Sequence, residues 1–135
     1  MIINEMVVER FYKLFNISKK ELPLIYLNAK YVSVRSLLFK QGQKANKLFF
    51  VLDGKLLLGK DIGFKREVIT HILFEPCIVG LDVLDDSLRF KFYAKALTPL
   101  LVMEMDGSLF NLMYMKNLKL QDLVRNQLRI RLLEL

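Results

Sequence analysis

The chain has 135 residues, of which 53% are hydrophobic and 26% are charged, and these values predict one domain with its own core rather than a disordered chain. A single cysteine, Cys77, excludes an internal disulfide and an all-cysteine metal cluster, and a single histidine, His71, excludes a multi-histidine metal centre. The formal charge of +7 is spread along the chain, which favours a generally basic surface over a dedicated nucleic-acid face.

The N-terminal region does not have the pattern of a targeting segment. Glu5, Glu9 and Arg10 interrupt its apolar residues, unlike the apolar core of a signal peptide. No apolar run approaches the roughly 18 residues that span a bilayer. We therefore expect a cytoplasmic protein that has no contact with a membrane. A helix-turn-helix pattern is not visible, so we expect contact with DNA only through a separate domain.

Residues 1–30 are predicted to form N-terminal helices. Apolar residues at helical spacing over 3–15 indicate an amphipathic helix whose apolar face packs on the rest of the chain. Ser18 and Glu21 have the spacing of a capping box, which predicts a short second helix. Pro23 must lie in the first turn of that helix or delay its start.

Residues 37–54 organise the predicted fold. Apolar runs at 37–39 and 48–52 are each followed by a turn that contains a glycine, Gly42 or Gly54. This pattern predicts consecutive strands of an antiparallel sheet.

The other predicted strands lie on both sides of this stretch. A bend is expected at Gly59 and a hairpin turn at residues 61–63. The result is a mainly β fold with flanking helices, an antiparallel β-roll of the jelly-roll type over residues 31–105. Its remaining strands are predicted at 31–35, 55–60, 65–74, 77–80, 88–97 and 100–105.

Residues 106–135 are predicted to form C-terminal helices. Asp106 can cap a helix over 109–115, and apolar residues on most of its sides predict that this helix is covered. A longer helix over 118–135 carries an apolar stripe of roughly heptad spacing. The stripe either packs on the roll or forms a homodimer interface. We favour the homodimer interface, because the preceding helix already covers the open side of the roll. Its members are Leu120, Val124, Leu128 and Leu132.

The spacing of Gly42, Ala45, Leu48 and Gly54 around two aromatic residues resembles the start of a cyclic-nucleotide-binding roll. This roll is the sensor domain of the catabolite-activator/FNR (CRP/FNR) family of bacterial transcription regulators, and the resemblance covers about residues 30–105. It implies a phosphate-binding cassette that opens at Gly80, with a short helix over 81–87, and dimerisation through the final helix. It also implies an arginine that pairs with the cyclic phosphate and a glutamate that accepts the ribose hydroxyl.

The sequence departs from that family at the ligand contacts. Leu81 stands where the family has its glutamate, and Asp82 would point about 100° away on a helix. Arg89 falls near the arginine position, but Phe90 and Phe92 replace the small residues that follow it. Rings pointing inward would fill the cavity that a nucleotide needs. The candidate ligand site consists of Gly80, Leu81, Asp82, Arg89 and Phe90.

These features predict the regulatory sensor and dimerisation domain of a catabolite-activator/FNR-like regulator, with a degenerate cassette and no cofactor. Two alternatives stay open: a true receptor for a cyclic nucleotide or another anion, and a ligand-free protein-interaction module. An enzyme is not expected, because His71, Cys77 and the carboxylates of Asp82, Asp85 and Asp86 are more typical of structural residues and helix caps. No catalytic residue and no metal ligand is assigned.

Overall fold

The computed structural model describes residues 5–85 and 88–133, with side chains up to residue 129. Two short 3₁₀ turns, Leu24–Tyr26 and Leu81–Leu84, lie between the longer elements. Three helices and eight strands are described within these ranges: α1 Glu5–Phe15, β1 Asn28–Val32, β2 Leu37–Phe39, β3 Lys47–Asp53, β4 Lys55–Gly63, β5 Arg66–Phe74, β6 Cys77–Val79, β7 Tyr93–Ala96, β8 Leu100–Asp106, α2 Gly107–Lys116 and α3 Leu118–Leu133.

The strands form two four-stranded antiparallel sheets that face each other. The first sheet has the order β1-β8-β3-β6 and the second has the order β2-β7-β4-β5. The predicted fold class is confirmed: the chain is mainly β, with antiparallel sheets and flanking helices. A closed interior follows, because each sheet places alternate side chains on its partner.

β3 is buried on both of its faces. Phe50 points outward from the first sheet and contacts Phe11 and Phe15 of α1 and Phe110 of α2. Phe49, one residue earlier, points inward toward Phe39 of the second sheet. An unbroken apolar run is what a strand with two covered faces requires, and the sequence LFFVL provides it.

The prediction that 37–39 and 48–52 are neighbouring strands of one sheet was wrong. β2 pairs with β7, whereas β3 pairs with β6 and β8. The chain also changes sheets at Asp53-Gly54, between β3 and β4. Gly54 has φ = 101°, and a side chain there would overlap the backbone of Pro99. The turn residues were recognisable, but turn chemistry alone does not say which strands pair.

Three predicted strand boundaries needed correction. The first strand is Asn28–Val32, not 31–35, and only Tyr93–Ala96 of the segment 88–97 lies in the second sheet. The β4–β5 turn lies at Phe64 and Lys65, which have φ values of 54° and 58°, the geometry of a type I′ turn. The predicted bend at Gly59 is confirmed as a shift in the β4–β5 register.

The N-terminal helix is confirmed where it falls within the described residues. The backbone N–H of Ser18 donates to Glu21 Oε2 at 2.8 Å, which is one half of the predicted capping box. The other half differs from the prediction, because the Ser18 hydroxyl contacts the Glu21 carboxylate and accepts the N–H of Lys20 at 3.2 Å rather than that of Glu21. Only a 3₁₀ turn follows, at Leu24–Tyr26, because Pro23 lacks the N–H that a longer helix would use.

α2 is less covered than predicted. Asp106 caps it as expected, since its carboxylate accepts the N–H of Leu109 at 2.9 Å. However, Leu112 is 62% exposed and Met115 is 68% exposed. The helix packs on the roll mainly through Phe110, so an all-round apolar sequence did not mean all-round burial.

α3 packs on the edge of the first sheet. Leu120 and Val124 are buried in the core, and the Gln127 side chain, also buried, accepts the Ile78 N–H of β6 at 3.1 Å. Leu120 and Val124 therefore face the chain's own roll, which corrects their assignment to a dimer interface. Leu128 is 47% exposed, and the side chain of Leu132 lies outside the described residues.

Candidate functional site

The segment predicted to be a phosphate-binding cassette, called here the cassette segment, begins at Gly80, immediately after β6. Gly80 has φ = 88°, the left-handed region, and precedes the 3₁₀ turn Leu81–Leu84. A methyl group at this position would lie 2.9 Å from the carbonyl oxygen of Lys47. Glycine is therefore required both for the backbone conformation and for the close approach to β3.

The phenyl ring of Phe90 fills the space beside Gly80. Phe90 is 3% exposed and stacks on Phe39 of β2, with 3.9 Å between ring centroids and 13° between ring planes. One edge of the ring lies 3.5 Å from where a Cβ on Gly80 would be. The expectation that a ring at position 90 points inward is confirmed. Phe92 is half-buried and meets His71 edge-on at 6.5 Å.

Arg89 points away from this interior. Its Nη1 donates to the carbonyl oxygen of Gly42 at 2.8 Å, and the side chain is exposed. Neighbouring residues of an extended segment point to opposite sides, so burying Phe90 turns Arg89 outward. The guanidinium therefore contacts the β2–β3 loop rather than a site at the start of the 3₁₀ turn.

Backbone hydrogen bonds join residues 88–90 to the loop between β2 and β3, and this hydrogen-bonded pairing is called the strap. Gly42 N–H donates to Phe90 O at 2.8 Å, and Phe90 N–H donates to Gln43 O at 3.0 Å. Ala45 N–H donates to Leu88 O at 2.7 Å. The segment is thus an additional piece of antiparallel structure, and it holds Phe90 over Phe39.

The acidic residues of the cassette stabilise its own turn. Asp82 Oδ2 accepts the backbone N–H of Lys91 at 3.1 Å, and Asp85 Oδ2 pairs with Lys91 Nζ at 2.8 Å. The hydrogen bond to Asp85 raises the pKa of Lys91. Asp86 lies outside the described residues. Within the part of the chain that is described, no three His, Cys, Asp or Glu side chains cluster in a way that could hold a metal ion.

The five predicted site residues therefore only partly converge. Gly80 and Phe90 touch, and Leu81 is half-buried against the core. Asp82 and Arg89 are engaged with Lys91 and Gly42, on other sides of the segment. Phe39 and the 42–45 loop complete the arrangement, and no local pattern in the sequence indicated that they would meet the cassette.

A small polar cleft opens over the same ring stack. It has a volume of about 240 Å³, and Phe39, Phe49 and Phe90 form its floor. Lys47 Nζ pairs with Glu104 Oε1 at 3.3 Å in its wall. The cleft is too small for a nucleotide, since pockets for drug-sized ligands have about 300–1,000 Å³.

The helices give no sign of a membrane span. None of those in residues 5–85 and 88–133 combines the length and the apolar character that crossing a bilayer requires.

Comparison with known families gives one match. The profile of the cyclic nucleotide-binding domain matches residues 30–117, which is more than half of the chain. Among curated proteins, no sequence matches this chain.

Solved structures with the same fold include three informative cases. A protein from Geobacter metallireducens GS-15, named as a candidate cyclic nucleotide-binding protein, has a TM-score of 0.73 at 20% identity, and 97% of each chain is covered. The c-di-GMP-responsive regulator CLP of Xanthomonas campestris has a TM-score of 0.74 at 18% identity, covering 97% of this chain and 60% of that one. The sensor domain of the transcriptional regulator DNR of Pseudomonas aeruginosa has a TM-score of 0.71 at 16% identity, covering 91% and 87%. At these identities the similarity establishes the fold.

Proposed function

Because the chain belongs to the cyclic nucleotide-binding domain family, we propose that it is a regulatory sensor domain of the catabolite-activator/FNR type whose cassette no longer holds a cyclic nucleotide. In this proposal the domain is cytoplasmic and non-catalytic and comprises N-terminal helices, a β-roll and C-terminal helices. DNA would be contacted by a separate domain. The observation that carries the proposal is the stack of Phe90 on Phe39 beside Gly80.

Three features support the loss of cyclic nucleotide binding. The Phe90 ring occupies the space beside Gly80, so a phosphate would have to displace a buried side chain. The Arg89 guanidinium is engaged with Gly42 O on the outer side of the strap. Leu81 offers no carboxylate where the family places its ribose contact. A cyclic phosphate would therefore find neither room nor a forked cationic partner.

Calorimetric titration with cyclic AMP and cyclic GMP tests this proposal. We expect no saturable heat from the wild-type protein at millimolar ligand. The Phe90→Ala variant, titrated in parallel, separates two reasons for this result: regained binding indicates that the ring blocks the site, and continued absence indicates that polar contacts are also missing. Saturable binding by the wild-type chain would contradict the proposal.

The output of the domain is proposed to be the position of its C-terminal helix in a homodimer. α3 is anchored to β6 through Gln127, and Leu128 is half-exposed just beyond that anchor. A change in the packing of the roll would thus tilt α3, and a partner helix seated on Leu128 would transmit the tilt. In this arrangement the constitutive filling of the roll fixes one helix angle.

Sedimentation equilibrium tests the dimer. We expect self-association that Leu128→Glu weakens, while Leu112→Glu, at an exposed position of α2, serves as the matched control and leaves it unchanged. A protein that remains monomeric at high concentration would remove this part of the proposal.

One observation favours a second candidate function, a receptor for a smaller polar ligand. The cleft over the ring stack combines Lys30, Lys47 and Glu104 with an aromatic floor. Such a site could hold a molecule that carries both charges, with the ring stack as its base. Loss of a ligand-induced chemical shift change at Glu104 after Lys47→Gln would support this alternative.

A further inference from the structure

A second cleft lies on the outer face of the second sheet, away from the cassette. Its volume is about 370 Å³, and it forms where the two ends of β2, the strand β7 and the turn end of the β4–β5 hairpin meet. Ala94 and Ala96 of β7 are buried between the sheets. Tyr93 and Lys95 alternate with them, so they point outward into this cleft.

Three cationic side chains line one side of the cleft. These are Arg35 before β2, Lys40 after β2, and Lys95 in the middle of β7. None of the three forms a salt bridge with another described residue. Asp61 and Glu67 also line the cleft, but Asp61 Oδ1 accepts the Gly63 N–H and Glu67 Oε2 accepts the Tyr93 hydroxyl. The cations therefore outnumber the carboxylates, and an excess of positive charge around a concave surface attracts an anion.

Hydrogen bonds fix the walls of the cleft in place. Asp61 N–H donates to Gln41 Oε1 at 2.6 Å, and Gln41 Nε2 donates to Asp61 O at 3.2 Å, so the β2–β3 loop is tied to the hairpin. The Tyr93 hydroxyl donates to Glu67 Oε2 at 3.1 Å. These contacts define the position of the ring and of the loop before any ligand binds.

The backbone of Arg35 is also held in an uncommon conformation. Its φ is 71°, which is rare for a residue with a side chain. Arg35 N–H donates to Ala96 O at 2.8 Å, and Ala96 N–H donates to Ser36 O at 2.9 Å, so β7 maintains this geometry. Asn16, Phe64, Lys65 and Leu88 adopt the same region elsewhere, so this backbone conformation does not indicate a ligand; it sets the direction in which the Arg35 side chain leaves the turn before β2.

Leu37 and the ring of Tyr93 form the apolar part of the lining, called here the apolar floor. Leu37 is 43% exposed. The volume falls within the range of about 300–1,000 Å³ typical of small-molecule sites. We propose that this cleft binds a small molecule in which a phosphate monoester is attached to a planar or apolar group. The three cations would hold the phosphate, and Leu37 with Tyr93 would support the rest of the molecule.

The test titrates the full chain separately with two probes, inorganic phosphate and phenyl phosphate. Binding of each probe is measured by the changes in the NMR chemical shifts of the Leu37 and Tyr93 amides. We expect both probes to bind and phenyl phosphate to bind more tightly, because only it can contact the apolar floor. Lys95→Gln and Lys40→Gln should each weaken phenyl phosphate binding about tenfold, as expected for removal of one charge-assisted contact. Lys55→Gln, at an exposed position of β4 outside the cleft, is the matched control and should leave the affinity unchanged.

Three outcomes would overturn the proposal: no saturable shift with either probe, an equal loss of affinity in the Lys55→Gln control, or binding of a single-stranded oligonucleotide without binding of phenyl phosphate. The Phe90→Ala variant should bind phenyl phosphate like the wild type. The cleft is thus tested independently of the cassette.

Discussion

The ring of Phe90 stacks on the ring of Phe39, a residue 51 positions earlier, with 3.9 Å between centroids. The contact joins the end of the cassette segment to β2, and the backbone strap between residues 88–90 and the 42–45 loop surrounds it. Because the same ring lies against Gly80, one side chain both completes the core and occupies the space beside the cassette glycine.

Phe90→Ala should destabilise the protein by about 3–5 kcal/mol, because it removes a buried ring and leaves a cavity. In a double-mutant cycle with Phe39→Ala, we expect a coupling of about 0.5–1.5 kcal/mol from the stacked pair. Urea unfolding of the four proteins measures both quantities. A loss below about 1 kcal/mol would mean that the site collapses around the missing ring and that the stack is not a core contact.

Gly80→Ala should cost more stability than Gly42→Ala, although both glycines lie in the left-handed region. At Gly42 nothing lies within 4 Å of an added methyl group, so only the backbone strain of about 1–2 kcal/mol applies. At Gly80 the methyl group would also lie 2.9 Å from Lys47 O and 3.1 Å from the Leu48 Cα. Thermal unfolding compares the pair, and equal losses would show that β3 moves aside freely.

The ion pair between Arg10 and Asp53 should make stability depend on pH in the acidic range. Arg10 Nη1 donates to Asp53 Oδ2 at 2.7 Å. The second guanidinium nitrogen, Nη2, contacts Asp53 Oδ1 and also donates to Leu52 O at 2.9 Å. The hydrogen bond from Arg10 lowers the pKa of Asp53. A lowered folded-state pKa contributes stability above the unfolded pKa of about 4, and this contribution is lost as the pH falls through the folded value.

Asp53→Asn should therefore cost about 0.5–1 kcal/mol at pH 7, a small amount because both side chains are partly exposed. The difference from the wild type should shrink as the pH is lowered from 5 to below the folded pKa, and high salt should reduce it. Urea unfolding at a series of pH values checks the sign. A difference that grows on acidification would contradict this assignment.

Gln127→Met should destabilise the packing of α3 by about 1–3 kcal/mol, because the buried amide oxygen that accepts the Ile78 N–H is lost while the side-chain volume is kept. Asn126→Ala, at the adjacent exposed position, is the control and should change stability by less than about 0.5 kcal/mol. Hydrogen exchange of the Ile78 amide reports on the same contact directly. Unchanged protection of this amide in Gln127→Met would exclude the proposed anchor.

Part of the candidate site could be predicted from local sequence. The alternation in 88–97 placed Phe90 on the inner face and Arg89 on the outer face, and this prediction succeeded because it depends on the period of an extended chain. The start of a cassette at Gly80 was implied by the family resemblance and stays a prediction; what the structure shows there is the left-handed backbone that glycine adopts easily. The contact of Arg89 with Gly42 and the role of Lys91 as the partner of Asp82 and Asp85 were not predictable, because each joins segments whose separation only the fold sets.

The sequence by itself determined the class of fold, the positions of most strands and turns, and the inward direction of the ring that fills the roll, since each follows from local periodicity and backbone preference. The tertiary structure decided which strands pair, that β2 and β3 belong to different sheets, and that Leu120 and Val124 face their own core. Strand pairing and helix docking are long-range choices. They depend on which apolar surfaces fit together when the whole chain is compact, and no short window of sequence contains that information.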